Sequence, residues 1–253
     1  MIIGVLSIFP EMFDAVISSG IVARAKSSDL FDLIIINPRD YTEDNYRRID
    51  DKTFGGGAGM VMKIEPLELA LADLKQKMLQ KGVEKPLVIY LSPQGKTIQQ
   101  KVVNDFAALS GVILVCGRYE GVDERFIERN VDLELSIGDF VVSGGELPAM
   151  LLIDSMVRQL PGAMNSLESV VNDSFMNGLL DCPHYTVPRD YEGSVVPQEL
   201  LSGNHKVIAE WRLQQSLWRT YQRRPELLAD KQLTNQQSRL LNEMISRNKI
   251  KEK

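Results

Sequence analysis

Five short apolar runs, at residues 2–8, 33–37, 87–92, 112–116 and 131–137, recur along the first two-thirds of the chain. Several are apolar at nearly every position rather than at alternate ones, so strands formed from them must be covered on both faces. Residues 65–81, 97–109 and 123–129, which lie between the runs, carry helical spacing. Strand and helix in turn predict an α/β domain around a mostly parallel sheet.

Residues 146–160 form a further predicted helix, with Leu147, Met150, Leu151, Ile153, Val157 and Leu160 at helical spacing and Pro161-Gly162 as its stop. Residues 163–172, small and polar, read as a mobile linker. Beyond them the alternation ends. Residues 204–223 and 234–247 read as two helices, the second led by a threonine in N-cap position, so a small all-helical domain is expected from residue 173 to 253.

No apolar run approaches the ~20 residues that span a bilayer. The segment 1–10 is apolar but lacks a basic start and a small-residue cleavage site, so it reads as a first strand, and a cytoplasmic protein is expected. Cys116 and Cys182 have no near cysteine partner, and His184 and His205 are the only histidines. A metal knuckle, a CxxC redox pair and a His-rich zinc site are therefore not expected. The formal net charge of -5 is unevenly spread. Residues 203–253 carry 11 Lys and Arg against 5 Asp and Glu, while the 202 residues before them carry 18 against 29. Such asymmetry fits polyanion contact by one part of the chain, and equally a solvated helical face.

Glycine-bearing loops follow three of the predicted strands: LSPQGK at 91–96, GRYEG at 117–121 and IGDFVVSGG at 137–145. Each alone is a tight strand-to-helix turn. In a parallel sheet, ligands sit beyond the carboxyl ends of the strands, so three successive loops there define one crevice. Glycine lets backbone groups approach a ligand closely. No GxxxxGK[ST] and no GxGxxG opening a helix occurs, so a ligand is expected to be held by backbone contacts rather than by a phosphate grip. A fourth loop, 50–60, contains GGGAG and reads either as a lid or as a disordered surface loop.

Taken in order, these segments resemble the bacterial tRNA (guanine-N1)-methyltransferases of the knotted SPOUT superfamily. The matching stretches are SIFPEMF at 7–13, NPRD at 37–40, GGGAGM at 55–60, YLSPQG at 90–95 and VCGRYEGVDER at 115–125. They continue with SIGDFVVSGGELPAM at 136–150, DSF at 173–175, GLLDCPHY at 178–185, WRLQQSL at 211–217 and RRPELL at 223–228. Phe54, Ala58 and Phe140 stand where the family often has Tyr, Pro and Tyr.

The resemblance implies a catalytic domain over 1–162 with a deep trefoil knot. It implies S-adenosylmethionine bound in a bent shape, and a homodimer whose active sites are shared between subunits. It also implies Mg2+ in catalysis, although no carboxylate cluster in the sequence spells out a protein-built site. The substrate implied is the guanosine at tRNA position 37. Cofactor contacts are expected from Tyr90, Leu91, Ser92, Pro93, Gln94, Gly117, Tyr119, Glu120, Gly121, Ile137, Gly138, Asp139, Phe140, Val141, Val142, Gly144, Gly145 and Pro148.

Guanine N-1 is protonated at neutral pH, so methylation there needs a base for the proton and a donor for the charge that develops on the exocyclic oxygen. The resemblance assigns Asp173 as the base and Arg158 to the cofactor or the oxygen; a turn aspartate and a helix C-terminal cation are the plainer readings. Gly55, Gly59, Asp181 and His184 are expected at the RNA, with Arg212, Arg219 and Arg223, spaced by 7 and 4, tracking phosphates from one helical face. Two rivals stand beside this. A knotted methyltransferase acting on ribosomal RNA or a ribose oxygen has no need of a carboxylate base. A non-catalytic RNA-binding module has no use for three ligand loops.

Overall fold

The computed structural model describes residues 1–229 and 231–251. The chain forms two compact units, Met1–Leu167 and the part from Glu168 onward.

In the first unit, strands β1 (Ile2–Leu6), β2 (Asp32–Ile36), β5 (Leu87–Thr97), β6 (Gly111–Cys116) and β7 (Leu133–Ser136) make one parallel sheet in the order β2-β1-β6-β5-β7. A two-stranded hairpin, β3 (Asp50–Asp51) and β4 (Val61–Met62), carries the glycine-rich loop. The helices are α1 (Asp14–Ile17), α2 (Gly20–Ser27), α3 (Ile64–Gln80), α4 (Gln100–Ala107), α5 (Glu124–Asn130) and α6 (Glu146–Val157).

Period-two geometry divides the strand side chains between two cores. Ile3, Val5, Ile89, Leu91, Val112 and Leu114 pack on one face with residues of α2, α4 and α6. Leu6, Val88, Tyr90, Ile113 and Val115 pack on the other with Leu67, Leu71, Leu74 and Met78 of α3 and Phe126 of α5. Every residue of β6 is buried, which is why that segment carries no polar alternation. Gly4 in β1 lets α3 lie close: a Cβ there would stand 3.0 Å from a Leu74 methyl.

β5 runs further than the apolar pattern suggested. It pairs with β7 up to Leu91, leaves the sheet over residues 92–95, and rejoins at Lys96↔Leu135. A Cβ on Gly95 would stand 2.3 Å from the Leu135 backbone nitrogen, so the excursion returns flush against β7.

The second unit contains α7 (Leu167–Val171, whose first residue closes the first unit), β8 (Asp190–Tyr191), β9 (Ser194–Val195), α8 (Gln198–Leu201), α9 (His205–Arg223), α10 (Glu226–Ala229) and α11 (Asn235–Lys251). Its core is Leu179, Leu217, Leu240 and Leu241, with Leu213 and Trp218 packed alongside. Asn204 caps α9 by accepting from the Lys206 and Val207 N–H groups. The expectation of an all-helical unit needs correction, because β8 and β9 pair as a hairpin. Its turn, Glu192-Gly193, takes positive φ at both positions, the primed turn that matches strand twist, with a glutamate where asparagine or aspartate would have signalled it. Within 163–172, Ala163 is fully buried in the first unit's core and α7 forms a short helix.

Candidate active site

A cavity of about 380 Å3 opens at the carboxyl ends of β5, β6 and β7, the position a parallel sheet favours for ligands. Its walls come from the three glycine loops. Tyr90, Leu91, Ser92, Pro93 and Gln94 form one wall, Gly117, Tyr119, Glu120 and Gly121 a second, and Ile137, Phe140, Val141, Val142, Gly144, Gly145 and Pro148 a third. Of the residues assigned to a cofactor, only Gly138 and Asp139 are not on this lining. They sit on the turn behind it, where the Ser136 hydroxyl donates to the Gly138 carbonyl at 3.0 Å and accepts from its N–H at 3.1 Å.

Two glycines are required by close approach. A Cβ on Gly145 would lie 2.6 Å from Cys116 Cα, and one on Gly117 would lie 2.7 Å from the Tyr90 hydroxyl. The Gly145 N–H donates to the Gly117 carbonyl at 2.9 Å, so the second and third walls are joined by backbone. Tyr119 holds φ at 59°, a left-handed conformation that non-glycine residues seldom take. Its hydroxyl accepts from Arg39 at 3.1 Å.

The lining also contains residues that glycine spacing did not single out: Arg118, Glu124, Glu134, Ser136 and Ser143, with apolar Val122, Ile127 and Leu135. The acidic groups leave a trace on Tyr90. Burial, followed by the negative charge of Glu134, pushes its hydroxyl up to about 12. Strand register gives the cause, since Tyr90 and Glu134 are direct cross-strand partners. Nothing in a linear pattern announces that pairing.

The glycine-rich loop is a hairpin turn with Gly55, Gly56, Gly57 and Gly59 at positive φ. The Glu120 N–H donates to Met60 and the Met62 N–H to Gly121, both at 2.9 Å, which ties the hairpin to the second wall. A Cβ on Gly59 would collide with the Glu120 side chain. Gly55 meets nothing within 4 Å. Arg158 is the C-cap of α6, its N–H donating to Asp154.

In the second unit, Asp173 follows α7, its N–H donating to Val170 and its carbonyl accepting from Met176. Asp181 and His184 are joined at 2.8 Å. Burial raises the Asp181 carboxyl, but the bonds from His184 and the Cys182 N–H outweigh it and leave the group below its ordinary range. With Cys182 they bring three potential ligand atoms within 4.8 Å of one another, a juxtaposition that counting cysteines and histidines missed. A thiol and an imidazole suit soft metals rather than Mg2+. His184 and Arg212 line a second cavity of about 390 Å3 with Arg189, Tyr185 and apolar residues of α8 and α9. Arg212, Arg219 and Arg223 lie on α9, and none forms an ion pair among the described residues.

Fold and cavity together define an α/β domain with a ligand-sized cavity at its strand ends, walled by glycine-bearing loops. The family model described as tRNA (Guanine-1)-methyltransferase TrmD matches residues 1–230. A tRNA (guanine-N(1)-)-methyltransferase of Chromobacterium violaceum is 54% identical over 253 residues, covering 100% of this chain and 99% of that protein. Proteins of the same name from Nitrosospira multiformis and Pseudomonas aeruginosa are each 55% identical, over 94% and 96% of this chain and 94% and 95% of their own lengths. The chain belongs to the tRNA (guanine-1)-methyltransferase family. No helix among the described residues is long and apolar enough to cross a membrane.

Proposed function

We propose that this protein transfers a methyl group from S-adenosylmethionine to N-1 of the guanosine at tRNA position 37, beside the anticodon. The observation that carries the reading is the strand-end cavity, where the loops that resemble the family's cofactor motifs converge on one space of about 380 Å3. Leu91, Ser92, Gly117, Tyr119, Ile137 and Val142 would hold the cofactor, with backbone groups made accessible by the neighbouring glycines. When bound, S-adenosylmethionine supplies an electrophilic methyl group on a cationic sulfur.

Orientation is then the main demand on the protein, together with deprotonation of the acceptor. Asp173 accepts the N-1 proton of guanine, freeing the lone pair for in-line attack. Arg158 stabilises the negative charge that accumulates on the exocyclic oxygen, or orients the cofactor. Gly55, Gly59, Asp181 and His184 contact nucleotides around the target, and Arg212, Arg219 and Arg223 meet phosphates. Glu120, Glu124 and Glu134 are the carboxylates on the cavity lining, but among the described residues the only three potential ligands that converge are Asp181, Cys182 and His184, so Mg2+ would bind at the cavity through one or two carboxylates and keep most of its waters.

The domain scheme accompanying this reading is a knotted catalytic domain over 1–162, a flexible linker over 163–172 and a tRNA-binding domain over 173–253. Exposed apolar side chains on α6 and the loop before it, Val141, Leu147 and Leu151, support a homodimer that completes each active site from both subunits. The reaction belongs in the cytoplasm, with tRNA as partner.

Labelled-methyl transfer to unmodified tRNA tests the proposal. Label is expected in tRNA carrying guanosine beside the anticodon and absent when that base is changed. Equal labelling of both would refute the position, and none in either would refute the activity.

A further inference from the structure

Behind the cavity lies Glu146, the one charged residue among those described that is completely buried. Its Oε2 accepts from Arg118 Nε and its Oε1 from the Ser7 hydroxyl, each at 2.8 Å. Ser7 is itself fully buried and accepts from the Phe9 N–H at 3.0 Å. The Arg118 guanidinium lies 4.6 Å from the centre of the Phe9 ring and donates to the Ser143 carbonyl at 3.2 Å. It also occupies the place a side chain on Gly144 would need, since a Cβ there would stand 2.2 Å from Arg118 Nε.

A buried ion pair is a poor source of net stability, because desolvation of both charges offsets their attraction. A well-packed apolar residue would fill the same space without that cost. What the carboxylate supplies is direction. One oxygen reaches the segment after β1, which contributes nothing to the cavity lining; the other reaches Arg118 on the second wall, and Arg118 passes on to Ser143 on the third. The otherwise unused SIFPEMF segment thereby becomes the outer anchor of the site.

We propose that Glu146, anchored by Ser7, is a positioning residue that sets the separation of the second and third cavity walls through Arg118 and so governs cofactor affinity. The inference rests on the reading that this cavity takes S-adenosylmethionine.

The test is calorimetric titration of S-adenosylhomocysteine into the full chain and its Glu146→Gln and Ser7→Ala variants, at a temperature where circular dichroism shows each folded. Displacing a wall by a fraction of an ångström is expected to weaken binding about tenfold or more in Glu146→Gln. Ser7→Ala, which removes one bond to a charged acceptor, is expected to weaken it by about threefold to tenfold. The cofactor KM should rise in proportion while kcat at saturation stays within about threefold of the parent. A purely structural pair would lower the melting temperature and leave the dissociation constant within about twofold, and that result would overturn the proposal. If Glu146→Gln does not fold, Ser7→Ala decides alone by the same criterion. If the unaltered protein fails to bind S-adenosylhomocysteine while still binding tRNA, the cofactor reading itself falls, and this inference with it.

Discussion

Replacing Gly145 by alanine isolates the contribution of close backbone approach to the candidate active site. Gly145 precedes α6 at φ -75°, a conformation any residue adopts, so alanine there introduces no dihedral strain. The added methyl meets the backbone at the end of β6: Cys116 Cα at 2.6 Å, Gly117 N at 3.0 Å and Cys116 C at 3.2 Å. Ordinary carbon contacts begin near about 3.5 Å, so the start of α6 must move away from β6 by most of an ångström. Overpacking of this kind costs about 1–3 kcal/mol. For a unit of this size that corresponds to a fall in melting temperature of about 2–12 °C. The same displacement stretches the Gly145–Gly117 backbone bond and opens the cavity between its second and third walls. Differential scanning calorimetry and S-adenosylhomocysteine titration read the two consequences separately. Gly20→Ala is the control, since its φ of 68° brings dihedral strain but its Cβ meets nothing within 4 Å. It should destabilise the fold and leave ligand affinity unchanged. A Gly145→Ala protein that melts within about 1 °C of the parent and binds within about twofold would refute the steric argument.

Three further outcomes are expected. Asp173→Ala should lower kcat for methyl transfer by about 10²–10⁴-fold with cofactor affinity intact, and near-normal turnover would remove Asp173 as the base. Arg219→Glu should weaken tRNA binding and make the plot of log affinity against log salt shallower by about one unit; an unchanged slope would exclude this residue from the phosphate stripe. Burial and then Glu134 raise the Tyr90 hydroxyl to about 12, so the fold favours its neutral form. That stabilising contribution is complete below the ordinary tyrosine value near pH 10 and is lost as pH rises from there to about 12. Tyr90→Phe should therefore flatten the alkaline fall in melting temperature, and an equally steep fall in the variant would contradict the assignment.

The parts of this molecule that were readable in the chain are those whose physics is periodic or steric. β6 is buried at every position, and its residues are apolar at every position for that reason. Gly95, Gly117 and Gly145 are glycine because another segment occupies the volume of their missing side chains, so each records a tertiary contact at a single sequence position. The assignment of three loops to one crevice came from a second regularity, that each follows the carboxyl end of a strand in a parallel sheet. Short elements left no such record. α2 buries only Val22 and Ala25, and β3 is two aspartates paired across a hairpin that backbone bonds hold against the second wall. Charged partnerships were the least legible. Ser7 and Glu146 are 139 positions apart, and either would read alone as an ordinary polar residue at the end of a strand or the start of a helix. Glu134 becomes a neighbour of Tyr90 only through the register of β5 on β7. A side chain's absence is written where it occurs, whereas a hydrogen-bond partner is specified only by the fold that brings the two groups together. The cavity's shape was accordingly legible in the glycines, while the buried charges that brace it emerged only once the strands were in place.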